Sequence, residues 1–269
     1  MFTLIGLGLG DANDITVNGL KAVHDADVVY LEAYTSFLIN SSPEELSAAY
    51  GKPVIVADRE MVESGDVLRD AESKKVAFLV VGDVFGATTH SDLVVRCREQ
   101  KIECRAIHNA SIINAVGCCG LQLYRFGQVL SLCFWTETWK PDSWYDRLKT
   151  NRDAGLHTLV LLDIKVKEIS DENLARGRKV YEPPRYMKIS EAIDQILAVE
   201  KRKGRGAVAV DGGTLAVGMA RVGSATQQVV AGPMQALRAV DFGTPLHSLV
   251  IAGEVHPCEE EHLRLFYLN

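Results

Sequence analysis

Val76-Ala77-Phe78-Leu79-Val80-Val81 runs directly into Gly82-Asp83-Val84-Phe85-Gly86-Ala87-Thr88-Thr89-His90, and this junction decides how the chain is read. The first part is an unbroken apolar run, the pattern of a strand buried on both faces. The second part changes abruptly to glycine, one carboxylate, two hydroxyls and an imidazole. In open parallel sheets, ligands bind just beyond the carboxyl ends of strands. Glycine there lets backbone approach a ligand closely, because no Cβ intervenes. Asp83 and Gly86 are therefore expected to line a ligand site. The plainer reading is a strand-to-helix turn, with Asp83 or Ser91 capping a helix that starts near Ser91.

Outward from this junction, strand and helix patterns alternate through about the first 110 residues, as in a parallel sheet covered by helices. Strands are expected over 2–6, 27–32, 53–57, 75–81 and 102–107, with helices such as 16–25 and 91–100 between them. Ser111 or Asn109 can cap a helix over 112–119, which Gly120 would end. The second half is less regular. Strands are expected over 129–134, 157–164, 206–210, 215–222, 227–230 and 246–251, with helices over 143–153, 189–203 and 233–240. The fold class is α/β, with a mostly parallel N-terminal domain (1–112) and a mixed C-terminal domain (113–269).

The chain has 269 residues, 47% of them apolar and 24% charged, enough to bury a large core. Its net charge of −6 argues against a dedicated nucleic-acid binder. No apolar run approaches the ~20 residues that cross a bilayer, and no basic leader precedes the first strand. The six cysteines form no Cys-x-x-Cys pair, which points to reduced thiols in a cytoplasmic setting. His256-Pro257-Cys258 with His262 matches no common zinc spacing and reads as a terminal segment.

Gly6-Leu7-Gly8-Leu9-Gly10-Asp11 follows the first strand and can present backbone N–H groups to a polar ligand. As a dinucleotide fingerprint it is imperfect, since Asp11 stands where glycine or alanine belongs and would oppose a pyrophosphate. Glu32, at the end of the second strand, falls near where a ribose-binding acid would stand, so a nicotinamide-dependent oxidoreductase stays open as a reading. No Gly-x-Ser-x-Gly, phosphate-loop or His-Glu-x-x-His pattern is present. That suits a reaction whose electrophile arrives preactivated, such as methyl transfer from a sulfonium, where positioning matters more than acids and bases. After the basic run Arg176-Gly177-Arg178-Lys179 comes Tyr181-Glu182-Pro183-Pro184-Arg185-Tyr186-Met187, a polar loop stiffened by two prolines. It either presents Arg185 to a substrate carboxylate or simply connects two elements. His247 alone reads as a structural histidine.

Taken together, Gly6–Asp11, Gly82–His90 and His108-Asn109-Ala110-Ser111-Ile112 resemble diphthine synthases, class III S-adenosylmethionine-dependent methyltransferases related to the tetrapyrrole methylases. The resemblance continues through 114–122, 161–165, 181–187 and 245–247, and so covers essentially the whole chain. It implies two domains with S-adenosylmethionine in the cleft between them, and a homodimer. By matching position it implies cofactor contacts at Leu9, Asp83, Gly86, Ser111, Ile112, Leu162, Val222 and His247. It also implies a protein substrate, translation elongation factor 2, whose aminocarboxypropyl-histidine is methylated on the amine and, in the eukaryotic form, on the carboxylate. A tetrapyrrole (precorrin or uroporphyrinogen) methyltransferase is the competing expectation within the enzyme class, and a non-catalytic partner of elongation factor 2 lies outside it.

Overall fold

In a sheet covered by helices on both faces, every strand residue points into one core or the other. The apolar run around Phe78 follows that rule. The structure, a computed structural model, describes residues 1–34, 36–38, 40–166, 168, 176–178 and 180–268. Its chain divides into two units, one of Met1–Ala115 with Gly223–Ala225, the other of Val116–Val222 with Thr226–Asn269.

In the first unit, β1 (Phe2–Gly6), α1 (Val17–Asp25), β2 (Val28–Glu32), α2 (Pro43–Tyr50) and β3 (Val54–Ala57) come first. After them follow α3 (Arg59–Ser64), α4 (Asp66–Arg69), β4 (Val76–Val80), α5 (Ser91–Glu99), β5 (Cys104–Ile107) and α6 (Ile112–Ala115). The strands form one parallel sheet in the order β3-β2-β4-β1-β5. Phe2, Leu4, Val76, Phe78 and Val80 enter one core cluster with Leu93 and Cys97 of α5. Ile5, Ala77 and Leu79 enter the other with Val23 of α1. The period of two is thus hidden in the sequence, because both faces are buried.

Chain order and strand order together locate a topological switch point. β1 leaves through α1 toward β2 on one side, while its neighbour β4 leaves through α5 toward β5 on the other. The two outgoing connections cover opposite faces, as the two core clusters record. A crevice opens where such connections part, at the carboxyl ends of the two strands.

The second unit carries β6 (Leu130–Leu132), α7 (Trp144–Asp153), β7 (Thr158–Leu162), β8 (Ile164–Lys165), β9 (Arg185–Tyr186) and α8 (Ile189–Lys203). β10 (Leu215–Ala220), β11 (Gln228–Pro233), α9 (Met234–Leu237), β12 (His247–Ile251) and α10 (Pro257–Leu263) complete it. Its sheet runs β11-β10-β12-β7-β6, with only β6 and β7 parallel. Trp144, Tyr145 and Leu148 of α7 and Ile189, Ile193 and Ile196 of α8 pack with Leu130, Val160 and Leu249 of that sheet. The α/β class with one parallel and one mixed sheet is therefore the observed architecture.

Two expectations are corrected. Residues 206–210 form no strand. The N–H groups of Gly206, Ala207 and Val208 instead donate to the Glu200 carboxylate at 2.8, 2.8 and 3.1 Å, and Tyr145 Oη–H donates to it at 2.8 Å. A segment whose amides converge on one buried carboxylate has none left for a ladder. Arg185 is likewise not in a plain loop, since β9 pairs with β8, setting Arg185 opposite Lys165 and Tyr186 opposite Ile164. Of the basic run before it, Lys179 lies outside the described residues.

Glu200 is 1% exposed. Burial pushes its carboxyl upward, but the three amides and the Tyr145 hydroxyl outweigh burial and hold it below the usual glutamate range. Its contribution to stability is then present above the unfolded value of about 4.3 and lost as pH falls through the depressed folded value. Glu200→Ala, which strands these donors, is expected to lower unfolding free energy by about 3 kcal/mol near neutrality. Glu200→Gln is expected to flatten the acid limb in urea titrations between about pH 2 and pH 6. An acid limb identical to the parent's would refute this account of the segment.

Candidate active site

β1, β4 and β5 end side by side, and the turns that follow them converge. Gly6 pairs with Val80, and Ile5 with Ile107, so the 7–11, 82–90 and 108–111 segments leave the sheet at one level. Gly8 and Gly82 exchange backbone hydrogen bonds, N–H to O, at 3.2 and 2.7 Å across the switch point. Both have positive φ, 77° and 78°, a region glycine enters without strain. A Cβ on Gly6 would stand 2.7 Å from the Gly82 carbonyl oxygen and 2.9 Å from Asn109 Cβ. Only a glycine lets the outer two turns close over the end of β1.

Two side chains hold that closure. Asp83 Oδ1 accepts from Phe85 N–H at 2.9 Å, and its Oδ2 accepts from Asn109 N–H at 3.0 Å and from His108 Nδ1 at 2.8 Å. Asn109 Nδ2 donates to the carbonyls of Gly6 at 3.0 Å and Asp14 at 2.9 Å. Burial pushes the Asp83 carboxyl upward, but the amides of Phe85 and Asn109 and the His108 ring outweigh it, so the group sits below its ordinary value. Ser111 Oγ accepts from Ile113 N–H at 3.2 Å, while Ser111 N–H donates to Asn114 Oδ1 at 2.8 Å. This realises the expected Ser111 cap, though the helix relaxes into a 3-10 turn at Val116–Cys119 before Gly120. A Cβ on Gly86 would come within 2.4 Å of Ser111 Oγ. Leu9 lies against Gly223, whose own Cβ would meet Leu9 Cβ at 2.9 Å. Leu9, Asp83, Gly86, Ser111 and Ile112 thus all belong to the turns at the carboxyl ends of these three strands.

The remaining expected residues lie in the second unit. Register sets Ser248 opposite Leu161 and Ala220 opposite His247. Leu162, His247 and Val222 therefore gather at one end of the mixed sheet. His247 Nε2–H donates to the Thr244 carbonyl at 3.1 Å, and its ring lies 5.9 Å from Phe242. Burial lowers its pKa, which keeps the imidazole neutral. Phe134 follows β6 at this same end, its N–H donating to Asp163 Oδ2 at 2.9 Å. The Arg185 guanidinium lies 5.0 Å from the Phe134 ring centroid and 3.9 Å from Glu168 Oε2.

The acids behind the nicotinamide reading do other work. Asp11 caps a 3-10 turn through Asn13 N–H at 2.7 Å. Glu32 is 1% exposed and accepts from Tyr34 N–H at 2.8 Å, where no ribose can reach it. His256 caps α10, accepting from Cys258 N–H at 3.3 Å. All six cysteines are free thiols, Cys97 and Cys119 buried and Cys258 exposed. Sequence reasoning missed His108 and Asn109 as partners of Asp83. The one available signal was positional: each follows a strand where Asp83 follows another.

Asp83→Ala removes the acceptor of three hydrogen bonds, and Asn109→Ala leaves two carbonyls without their donor. Each is expected to lower unfolding free energy by about 1–3 kcal/mol. The double variant should fall short of the sum, because both act on one closure. Strict additivity in chemical denaturation would show that the turns are held independently.

The family model described as Tetrapyrrole (Corrin/Porphyrin) Methylases matches residues 1–238. Diphthine methyl ester synthase of Homo sapiens is 57% identical over 271 residues, 99% of this chain and 95% of that protein. Its counterpart in Dictyostelium discoideum is 54% identical over 267 residues, 98% of this chain and 97% of that protein. Among solved structures, a candidate diphthine synthase from Entamoeba histolytica superposes with a TM-score of 0.89 at 50% identity, covering 100% of this chain and 99% of that one. A further diphthine synthase superposes at 0.83 and 35% identity, covering 99% and 95%. With the glycine turns at the switch point, the two-unit α/β architecture and relatives matching from end to end, the chain belongs to the diphthine methyl ester synthase family of methyltransferases, built on the tetrapyrrole methylase fold.

Proposed function

We propose that this methyltransferase takes methyl groups from S-adenosylmethionine and places them on the aminocarboxypropyl-histidine of translation elongation factor 2, giving diphthine methyl ester. The observation that carries the reading is end-to-end similarity above half identity to diphthine methyl ester synthases, the match to the human protein leaving 1% of this chain uncovered. The wider tetrapyrrole methylase family would admit a macrocycle as substrate, but full-length identity at this level favours the diphthine reaction. S-adenosylmethionine supplies an activated methyl on a sulfonium.

The residues at the switch point suit such a cofactor. Glycine backbone at Gly8, Gly82 and Gly86 permits close approach, Ser111 offers a hydroxyl, and Leu9 and Ile112 offer apolar surface. The Asp83 side chain is engaged with its own turn and with 108–109, so it holds the shape of these turns. Leu162, Val222 and His247 of the second unit are assigned to the cofactor on the sequence resemblance and on their gathering at one sheet end. Arg185 is assigned to the substrate. Its charge is shared with Glu168, which Lys165 also engages at 2.6 Å. A cytoplasmic location and a homodimer belong to the same proposal, and sedimentation at about twice the chain mass would support the latter.

Intact-mass analysis of elongation factor 2 carrying the aminocarboxypropyl group, incubated with this protein and S-adenosylmethionine, is expected to show successive methyl increments. Factor with an unmodified histidine should gain none. Equal labelling of both, or transfer to a tetrapyrrole instead, would overturn the reading. Gly86→Leu must displace Ser111 and is expected to weaken S-adenosylhomocysteine binding in calorimetry at least tenfold, about 1.4 kcal/mol. Arg185→Ala is expected to bind S-adenosylhomocysteine like the parent while methylating the factor more slowly. Parent-like methylation by that variant would remove Arg185 from the substrate site.

A further inference from the structure

The amine of the proposed acceptor stands next to a carboxylate, as in an α-amino acid, and is an ammonium at neutral pH. It must lose a proton before each N-methylation. The switch-point turns contain one arrangement suited to carry that proton away. His108 follows β5 and reaches across the end of β1 to Asp83, Nδ1 to Oδ2 at 2.8 Å. Asp83 is an acceptor here, since its carboxylate already takes N–H bonds from Phe85 and Asn109. Nδ1 therefore carries the hydrogen, and the lone pair is left on Nε2. The ring is anchored at one nitrogen and open elsewhere, with a side chain 66% exposed while that of Asp83 is 16% exposed. Phe85 lies 5.9 Å from it, centroid to centroid, as an apolar neighbour. Asp83 is the ionisable group that the described contacts set against the ring. A histidine held by a carboxylate at one nitrogen, with the other free, is the usual build of a general base.

We propose that His108, oriented by Asp83, is the proton acceptor for the N-methylation steps. The inference rests on the methyltransferase reading given above. The substrate's N–H bond breaks, its proton passes to His108 Nε2, and the N–H electron pair stays on nitrogen. That pair forms the new N–C bond as the methyl–sulfur bond breaks, with its electrons remaining on sulfur. The imidazolium then releases the proton to solvent, which its exposed ring permits. The cycle is needed before each of the three N-methylations and is not needed for the ester, because a carboxylate oxygen attacks with no proton to lose.

This asymmetry is the test. His108→Ala and His108→Asn leave Asp83 its two backbone donors, so both variants should fold and bind S-adenosylhomocysteine like the parent. Single-turnover mass analysis is expected to give N-methylation about 10²-fold slower than the parent. Esterification should keep the parent rate on factor already bearing the trimethylammonium, prepared by alkaline hydrolysis of the fully methylated product. Added imidazole should restore much of the N-methylation rate in His108→Ala and leave esterification unchanged. Parent-like N-methylation, an equal slowing of both reactions, or no response to imidazole would overturn the role. A parent protein inactive on the primed factor would remove the underlying function as well, whereas an active parent with an equally active variant removes this role alone.

Discussion

Closure of two turns over Gly6 is the constraint on which the first unit's chemistry depends. β4 and β5 are not neighbours in the sheet; β1 lies between them. The Asp83 carboxylate and the Asn109 amide bridge that gap because β1 ends in a residue without a side chain. The bridge organises three segments at once: it fixes the turn carrying Gly86, it sets the start of the helix at Ser111, and it anchors Asp14 behind the first glycine turn. Each bond is worth about 1 kcal/mol net, more where a carboxylate takes part. Their combined effect is on position rather than on total stability. Methyl transfer demands that kind of precision, since the reacting atoms must line up within a few tenths of an ångström.

The second unit uses the same device for a different purpose. Glu200 gathers the amides of 206–208, while Glu259 Oε1 accepts from Gln122 N–H at 2.9 Å and from His157 Nε2 at 3.2 Å. His157 Nδ1 in turn accepts from Gly253 N–H at 2.9 Å, which fixes its tautomer and leaves it neutral beside the carboxylate. Burial pushes the pKa of His157 down, in keeping with that tautomer. Both carboxylates are held below their ordinary range by the donors that surround them. Buried acids here serve as backbone organisers, not as proton donors, and their stabilising effect weakens together in acid.

The strands of the parallel sheet were legible because their signal is local. β1 occupies the expected 2–6, and α8 the expected 189–203. The failure at 206–210 is equally instructive. Gly206-Ala207-Val208-Ala209-Val210 has strand composition, but the acceptor that claims its amides is Glu200, on the preceding helix, and composition cannot register that. α10 was missed because Cys258-Glu259-Glu260-Glu261-His262 looks like a polar tail; what buries it is Leu263 together with the Glu259–His157 pair. At the candidate site, the glycine turns and Asp83 could be singled out from type and position. The side-chain partners of Asp83 could not, because they depend on strand order. The sequence spaces Asp83 and His108 twenty-five residues apart, and only a parallel sheet with β1 between them brings the two together.

Amine and carboxylate make opposite demands on one pocket. The amine arrives protonated, and at pH 7 its free form is the minor one. In the proposed complex the sulfonium of S-adenosylmethionine would make the ammonium more acidic through like-charge repulsion, offsetting part of that. Excluding water protects the methyl donor yet also removes the solvent that would take the proton. The proposed base His108 resolves the conflict, with Nδ1 tied to Asp83 and a side chain 66% exposed to solvent. The carboxylate needs no such help. A quaternary ammonium beside it has no proton left to give, but its fixed positive charge holds the carboxylate ionised and ready as the nucleophile. Under this proposal the three nitrogen steps use the proton route and the ester step does not.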